Sequence, residues 1–162
     1  MFKMSKEINE INNILSKAGG KWSIYSKNLA TNNVIYDLNS NEPFPSASIG
    51  MTTANKISSL LEGLYKATYF SKELSNQFIN IMKKSGNENR IKRYLPNLEV
   101  ASKSGSIPGV RSDVGIIFEK VPYTLCVLSK DLPDESNKPE NKGVLAIVAI
   151  SKLIYETPIK QI

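Results

Sequence analysis

No histidine occurs anywhere in the 162 residues. That absence excludes Ser-His-Asp and Cys-His catalysis and the common histidine-bearing zinc sites. Cysteine is nearly absent as well. Cys126 stands alone, so no intrachain disulfide forms, and its place inside the apolar run Tyr123 to Leu128 suits a small core-filling side chain. No apolar run approaches membrane-spanning length, and the start MFKMSKEINE lacks the apolar stretch of a secretory signal. The expectation is a cytoplasmic chain or one whose export signal has been removed, with no membrane segment.

What is present describes one soluble domain. Hydrophobic residues make up 41% and charged residues 22%, enough to bury a core. Lys and Arg number 21 against 15 acidic residues, a net charge of +6. The lysines are scattered, and the one compact basic group is Lys83-Lys84 followed by Arg90, Lys92 and Arg93. It reads as a solvated surface. No aromatic stripe interleaves with basic residues, so no nucleic-acid partner is expected. No metal site or cofactor is implied.

Ile8, Ile11, Leu15 and Ala18 recur at helical spacing until Gly19-Gly20. Lys21 to Lys27 alternates as a strand, Asn28 to Asn33 turns, and Val34-Ile35-Tyr36 returns as a second strand. A polar loop from Asn39 to Pro45 leads to Ser48. Thr52-Thr53 then offers an N-cap for a helix carrying Ile57, Leu60, Leu61 and Leu64. Ser71 caps another helix, with Leu74, Phe78, Ile81 and Met82 as its expected apolar face. Strands are expected over 99–104, 112–118 and 123–129, before a last helix bearing Val144, Ile147, Ile150 and Ile154. This order predicts an antiparallel sheet with helices packed on its faces, an α/β chain of the α+β type.

Two separated segments carry chemistry. Ser48 follows Phe44-Pro45-Ser46-Ala47, and Lys103-Ser104-Gly105 lies far downstream. A serine hydroxyl is a poor nucleophile until a base takes its proton, and without histidine the usual base is a lysine of lowered pKa. On a helix, a lysine three residues after the serine lies about 4.5 Å along and nearly one turn on, facing the hydroxyl. Met51 occupies that position here. A second lysine on a strand, followed by a hydroxyl residue and a glycine, suits a substrate carboxylate, because glycine admits close approach to the strand edge.

These segments resemble the penicillin-recognising serine hydrolases, most closely the class A β-lactamases. Phe44 to Ser48 is similar to the nucleophile segment, Lys103-Ser104-Gly105 to the Lys-Thr/Ser-Gly strand motif, Thr52-Thr53-Ala54 to the Thr-Thr-Pro-Ala helix entry, and Val110 to Ile117 to the next strand. The resemblance covers nearly the whole chain. It implies the α/β half of a serine β-lactamase: a five-stranded antiparallel sheet flanked by the N- and C-terminal helices and two further helices. It also implies that Ser48 holds the place of the acylated serine. By the same resemblance Lys103, Ser104 and Gly105 bind the carboxylate of a β-lactam or D-alanyl peptide, with Arg111 adding positive charge.

The departures from the family are equally specific. Met51 replaces the lysine of Ser-x-x-Lys, and neither a Ser-Asp-Asn motif nor the loop bearing the general-base Glu has a counterpart. Ser85-Gly86-Asn87 matches only loosely and ends a helix. Lys56 stands eight residues beyond Ser48, about 12 Å along a continuous helix, and Glu62 is further still. The whole helical domain looks excised, with the flanks joined at 49–52. The expectations are a β-lactamase-like hydrolase that is impaired or inactive, a non-catalytic module for anionic cell-wall peptides or polymers, or a deletion product without function of its own. Surface uncovered by the missing domain predicts self-association into a homo-oligomer, with segment exchange near 49–53.

Overall fold

The computed structural model describes residues 2–46, 50–85, 88–95 and 97–156. Helix α1 (Phe2–Ala18) precedes the antiparallel pair β1 (Lys21–Asn28) and β2 (Val34–Leu38). Two short strands, β3 (Phe44–Ser46) and β4 (Gly50–Thr52), pair with each other in a separate two-stranded sheet. Helices α2 (Ala54–Tyr65) and α3 (Lys72–Ser85) and a 3-10 turn (Ile91–Tyr94) lead to β5 (Glu99–Ile107), β6 (Val110–Phe118) and β7 (Tyr123–Lys130). Helix α4 (Lys142–Glu156) completes the described chain. The main sheet runs β2-β1-β7-β6-β5, antiparallel throughout, which is the architecture the sequence implies.

Both faces of this sheet are covered, and strand alternation sorts the side chains between them. On one face Ile24, Val100, Ile117, Leu125 and Val127 pack with Ile11 of α1, Ile147 and Ile150 of α4, and Ile91 of the 3-10 turn. On the other, Tyr25, Ala101, Ile116, Cys126 and Leu128 meet Phe44 of β3, Leu61 of α2 and Ile79 of α3. Strand β7 lies in the middle and is buried along nearly its whole length. The final helix buries Val144, Ile147, Ile150 and Ile154, the stripe read from its sequence.

Local chemistry sets the helix starts. Thr53 is extended, and its hydroxyl accepts from the Lys56 amide at 3.2 Å, capping α2 as expected. Ser71 accepts from the Leu74 amide at 3.2 Å before α3. Asn141 Oδ1 accepts from Gly143 and Val144 at 2.9 and 3.1 Å, starting α4.

Three expectations are revised. The apolar face of α3 is turned: Leu74, Phe78 and Ile81 are 40, 42 and 61% exposed, while Ser75 and Ile79 are buried. Helix α3 lies against β5, and Ser75 and Ile79 are its buried positions, Ile79 in one cluster with Ala101 of β5. The strands β5 and β6 run further than 99–104 and 112–118, because Gly109, at φ 69°, closes a turn that lets Ile107 pair with Val110. Finally, part of the loop expected before Ser48 is strand β3, in register Phe44 with Thr52, Pro45 with Met51 and Ser46 with Gly50. No helix among the described residues is long and apolar enough to cross a membrane.

Candidate functional site

Strand β5 ends the main sheet, so one of its edges faces away from β6. Lys103, Ser104 and Gly105 lie on it in register with Val114, Asp113 and Ser112. By strand alternation Lys103 belongs to the α2–α3 face and Ser104 to the α1–α4 face. The Lys103 ammonium is exposed and folds back to donate to the Ser104 carbonyl at 2.6 Å. A cation thus sits at the sheet margin, beside a hydroxyl and a glycine.

A second cation, Arg90, reaches the same stretch from the start of the 3-10 turn. It is buried, and donates to the Gly105 carbonyl at 2.9 Å, to the Ser112 carbonyl and to the Ser106 hydroxyl. Burial lowers its pKa; Asp113 opposes that shift and the like charge of Arg111 adds to it. Asp113 is fully buried and accepts from the amides of Ile91 and Val114, each at 3.1 Å. Desolvation pushes its carboxyl up to about 7, against the amide bonds and the charges of Arg90 and Lys103. Together Arg90 and Asp113 fasten the 3-10 turn to the β5–β6 hairpin and fix the backbone at Gly105.

Arg90 was legible only as one member of the compact basic group. Lys83 and Lys92 of that group do behave as surface charges, pairing with Glu99 and Glu88. Nothing local in the sequence separates a buried arginine from its exposed neighbours, and the distinction comes from the pairing of β5 with β6.

Arg111 goes elsewhere. Its guanidinium is buried and donates to the carbonyls of Ile107, Val110, Glu135 and Ser136 at 2.7–2.8 Å and to Asn137 Oδ1 at 3.2 Å. These acceptors tie the loop before α4 to the β5–β6 turn. In this arrangement Arg111 organises a loop, and Arg90 is the arginine whose guanidinium touches the Lys-Ser-Gly segment.

Ser48 lies outside the described residues, as do Gly86 and Asn87 of the loose Ser-x-Asn. The segment after it is described. Met51 is in β4, opposite Pro45, and 61% exposed. Residues 50–52 are extended, so the helical relation that would present position 51 to a serine three residues earlier does not hold there. Helix α2 begins only at Ala54, which removes the helical path from Ser48 to Lys56. Glu62 is held by Lys27 at 2.6 Å and Lys66 at 2.7 Å. Among the described residues no cluster suited to a metal ion occurs.

Comparisons with known proteins agree with this architecture. The profile described as the β-lactamase enzyme family matches residues 6–50 and 49–157. The fold is similar to that of a β-lactamase from Chitinophaga pinensis, with 14% identity, TM-score 0.83, and 93% of this chain and 98% of that one covered. It is similar to a representative of class A β-lactamase from Bacteroides cellulosilyticus, at 12% identity, TM-score 0.77 and coverages of 94 and 96%. A variant of PBP-A solved as an acyl-enzyme complex with penicillin G aligns at 11% identity, TM-score 0.77, again covering 94 and 96%. No curated protein matches the chain significantly.

Proposed function

Because the chain belongs to the β-lactamase enzyme family and carries the fold of its class A members, we propose that it is a β-lactamase-like serine hydrolase domain in which turnover is impaired. The observation that carries this reading is strand β4. With Gly50 to Thr52 extended and Met51 pointing to solvent, the position that would hold the base of Ser-x-x-Lys carries neither the right side chain nor the helical geometry. Excision of a helical domain at 49–52 is supported by the two matched stretches, which meet at residues 49 and 50, and by the pairing of Ser46 with Gly50 across the same point.

In this reading Ser48 keeps the place of the nucleophile, while Lys103, Ser104 and Gly105 keep the place of the carboxylate subsite, with Arg90 holding the Gly105 backbone. Loss of a nucleophile's partners lowers rates by about 10⁴ to 10⁶. Hydrolysis of a chromogenic cephalosporin is therefore expected at or near the uncatalysed rate, unchanged in Ser48→Ala. Serine-dependent hydrolysis at ordinary enzyme rates would overturn the impairment.

A second reading is favoured by the intact β5 edge on a net basic chain. Here the domain binds anionic cell-wall peptides or polymers without reacting. Calorimetric titration with a D-alanyl peptide is expected to show binding that Lys103→Ala weakens. Equal binding by the variant, or none by the parent, would remove this reading.

A further inference from the structure

On the outer side of α2, away from the β5 edge, an open cleft of about 520 Å³ is lined by Asn41, Asn55, Lys56, Ser59, Leu60 and Tyr69. That size falls within the roughly 300–1,000 Å³ of small-molecule sites. Its aromatic wall is built with some care. Ala67 takes a left-handed φ of 53°, and the Thr68 amide donates to the Gly63 carbonyl at 2.9 Å, turning the chain back over α2. The Tyr69 ring then lies directly on Gly63. A Cβ at that glycine would come within 1.9 Å of the ring, so only glycine admits the contact. The ring is fixed from behind, yet Tyr69 remains 57% exposed.

The polar wall is preset as well. Asn55 Nδ2 donates to Asn41 Oδ1 at 3.2 Å, which orients both amides. Asn55 Oδ1 and Asn41 Nδ2 have no hydrogen-bond partner among the described residues. The Lys56 ammonium is likewise uncommitted among them, and no carboxylate lines the cleft. Ser59 donates to the Asn55 carbonyl at 3.1 Å and retains acceptor capacity.

We propose that this cleft is a saccharide-binding site, with a pyranose ring stacked on Tyr69, its hydroxyls on Asn41 and Asn55, and an acidic substituent on Lys56. A pyranose has an apolar C–H face and a rim of hydroxyls, and the cleft offers one rigid aromatic face beside oriented donors and acceptors. Tyrosine supplies such a surface at low entropic cost, and the unopposed ammonium selects a carboxylate-bearing sugar over a neutral one. The site is separate from the β5 edge and does not depend on the reading of that edge.

Amide chemical shifts of ¹⁵N-labelled protein, titrated with trigalacturonate and with maltotriose, test this. Saturable shifts are expected at residues 41, 55, 56, 59 and 69, with the acidic sugar binding about tenfold more tightly. Tyr69→Phe retains binding, and Asn41→Ala weakens it. Lys56→Ala abolishes the preference for the acidic sugar. No shifts at about 10 mM saccharide, shifts confined to Lys103–Ser106, an unaltered preference in Lys56→Ala, or shifts at residues 41, 55, 56, 59 and 69 that follow protein concentration and not saccharide would each overturn the proposal.

Discussion

Arg111 and Asp113, two residues apart on β6, are both buried but respond differently to perturbation. Arg111→Ala strands the loop carbonyls of Glu135 and Ser136 along with those of the β5–β6 turn. A loss of about 3 kcal/mol is expected from urea unfolding, because several charge-assisted bonds go at once. Asp113 acts through pH. Its folded carboxyl is raised from 3.8 to about 7 by desolvation, so the folded state holds a proton that the unfolded state has released. Its contribution to stability is therefore full below about 4, declines as pH rises, and is lost once pH passes about 7. Asp113→Asn, which keeps the side chain neutral, is expected to flatten that decline in unfolding curves recorded across this range. Asp134 has the opposite sign: bonds from the Lys142 and Ser136 amides hold it at about 2, and what it contributes disappears only as pH falls from 3.8 towards that value.

At the scale of elements, α3 offers a direct comparison. Ile79 is buried against the sheet and Ile81 is exposed on the same helix. Ile79→Ala is expected to cost about 2–4 kcal/mol, and Ile81→Ala less than about 0.5, by thermal or urea unfolding. The sequence misleads here for a physical reason. Of the expected face Leu74, Phe78, Ile81 and Met82, only Met82 packs on the core; the buried side, with Ser75 and Ile79, is displaced by one residue from the more apolar Leu74 and Phe78. Packing against β5 buries Ser75 and Ile79 and leaves Leu74 and Phe78 outside. By contrast, the caps of α2 and α3 and the four buried positions of α4 were legible, since each depends on contacts within a few residues or on a long uninterrupted period. Strands β3 and β4 were not, because three residues are too few for alternation to show. In the candidate site, the β5 motif was read from its letters, while Arg90 required knowing which strand Gly105 pairs with. Thr53→Ala provides a check on the legible class: loss of the cap should cost about 1 kcal/mol.

For the molecule as a whole, Leu74, Phe78 and Ile81 on the outward side of α3 leave apolar side chains exposed, with the Phe70 ring tilted against Phe78 at 5.6 Å between centroids. Such surfaces commonly serve association. A rise in weight-average mass with concentration is expected in light scattering, and Phe78→Lys should abolish it. A parent chain that stays monomeric at high concentration would count against self-association through this face.

The single thiol has a use that its chemistry alone does not suggest. Cys126 is wholly buried in the middle strand, between layers of helices on both sides, and burial pushes its pKa upward. No fraying of an end or edge strand brings it to solvent. Its modification by a disulfide reagent should therefore wait for the entire sheet to come apart, and the labelling rate in dilute urea should report the free energy of global opening. The protein carries its own built-in unfolding clock, with one hand.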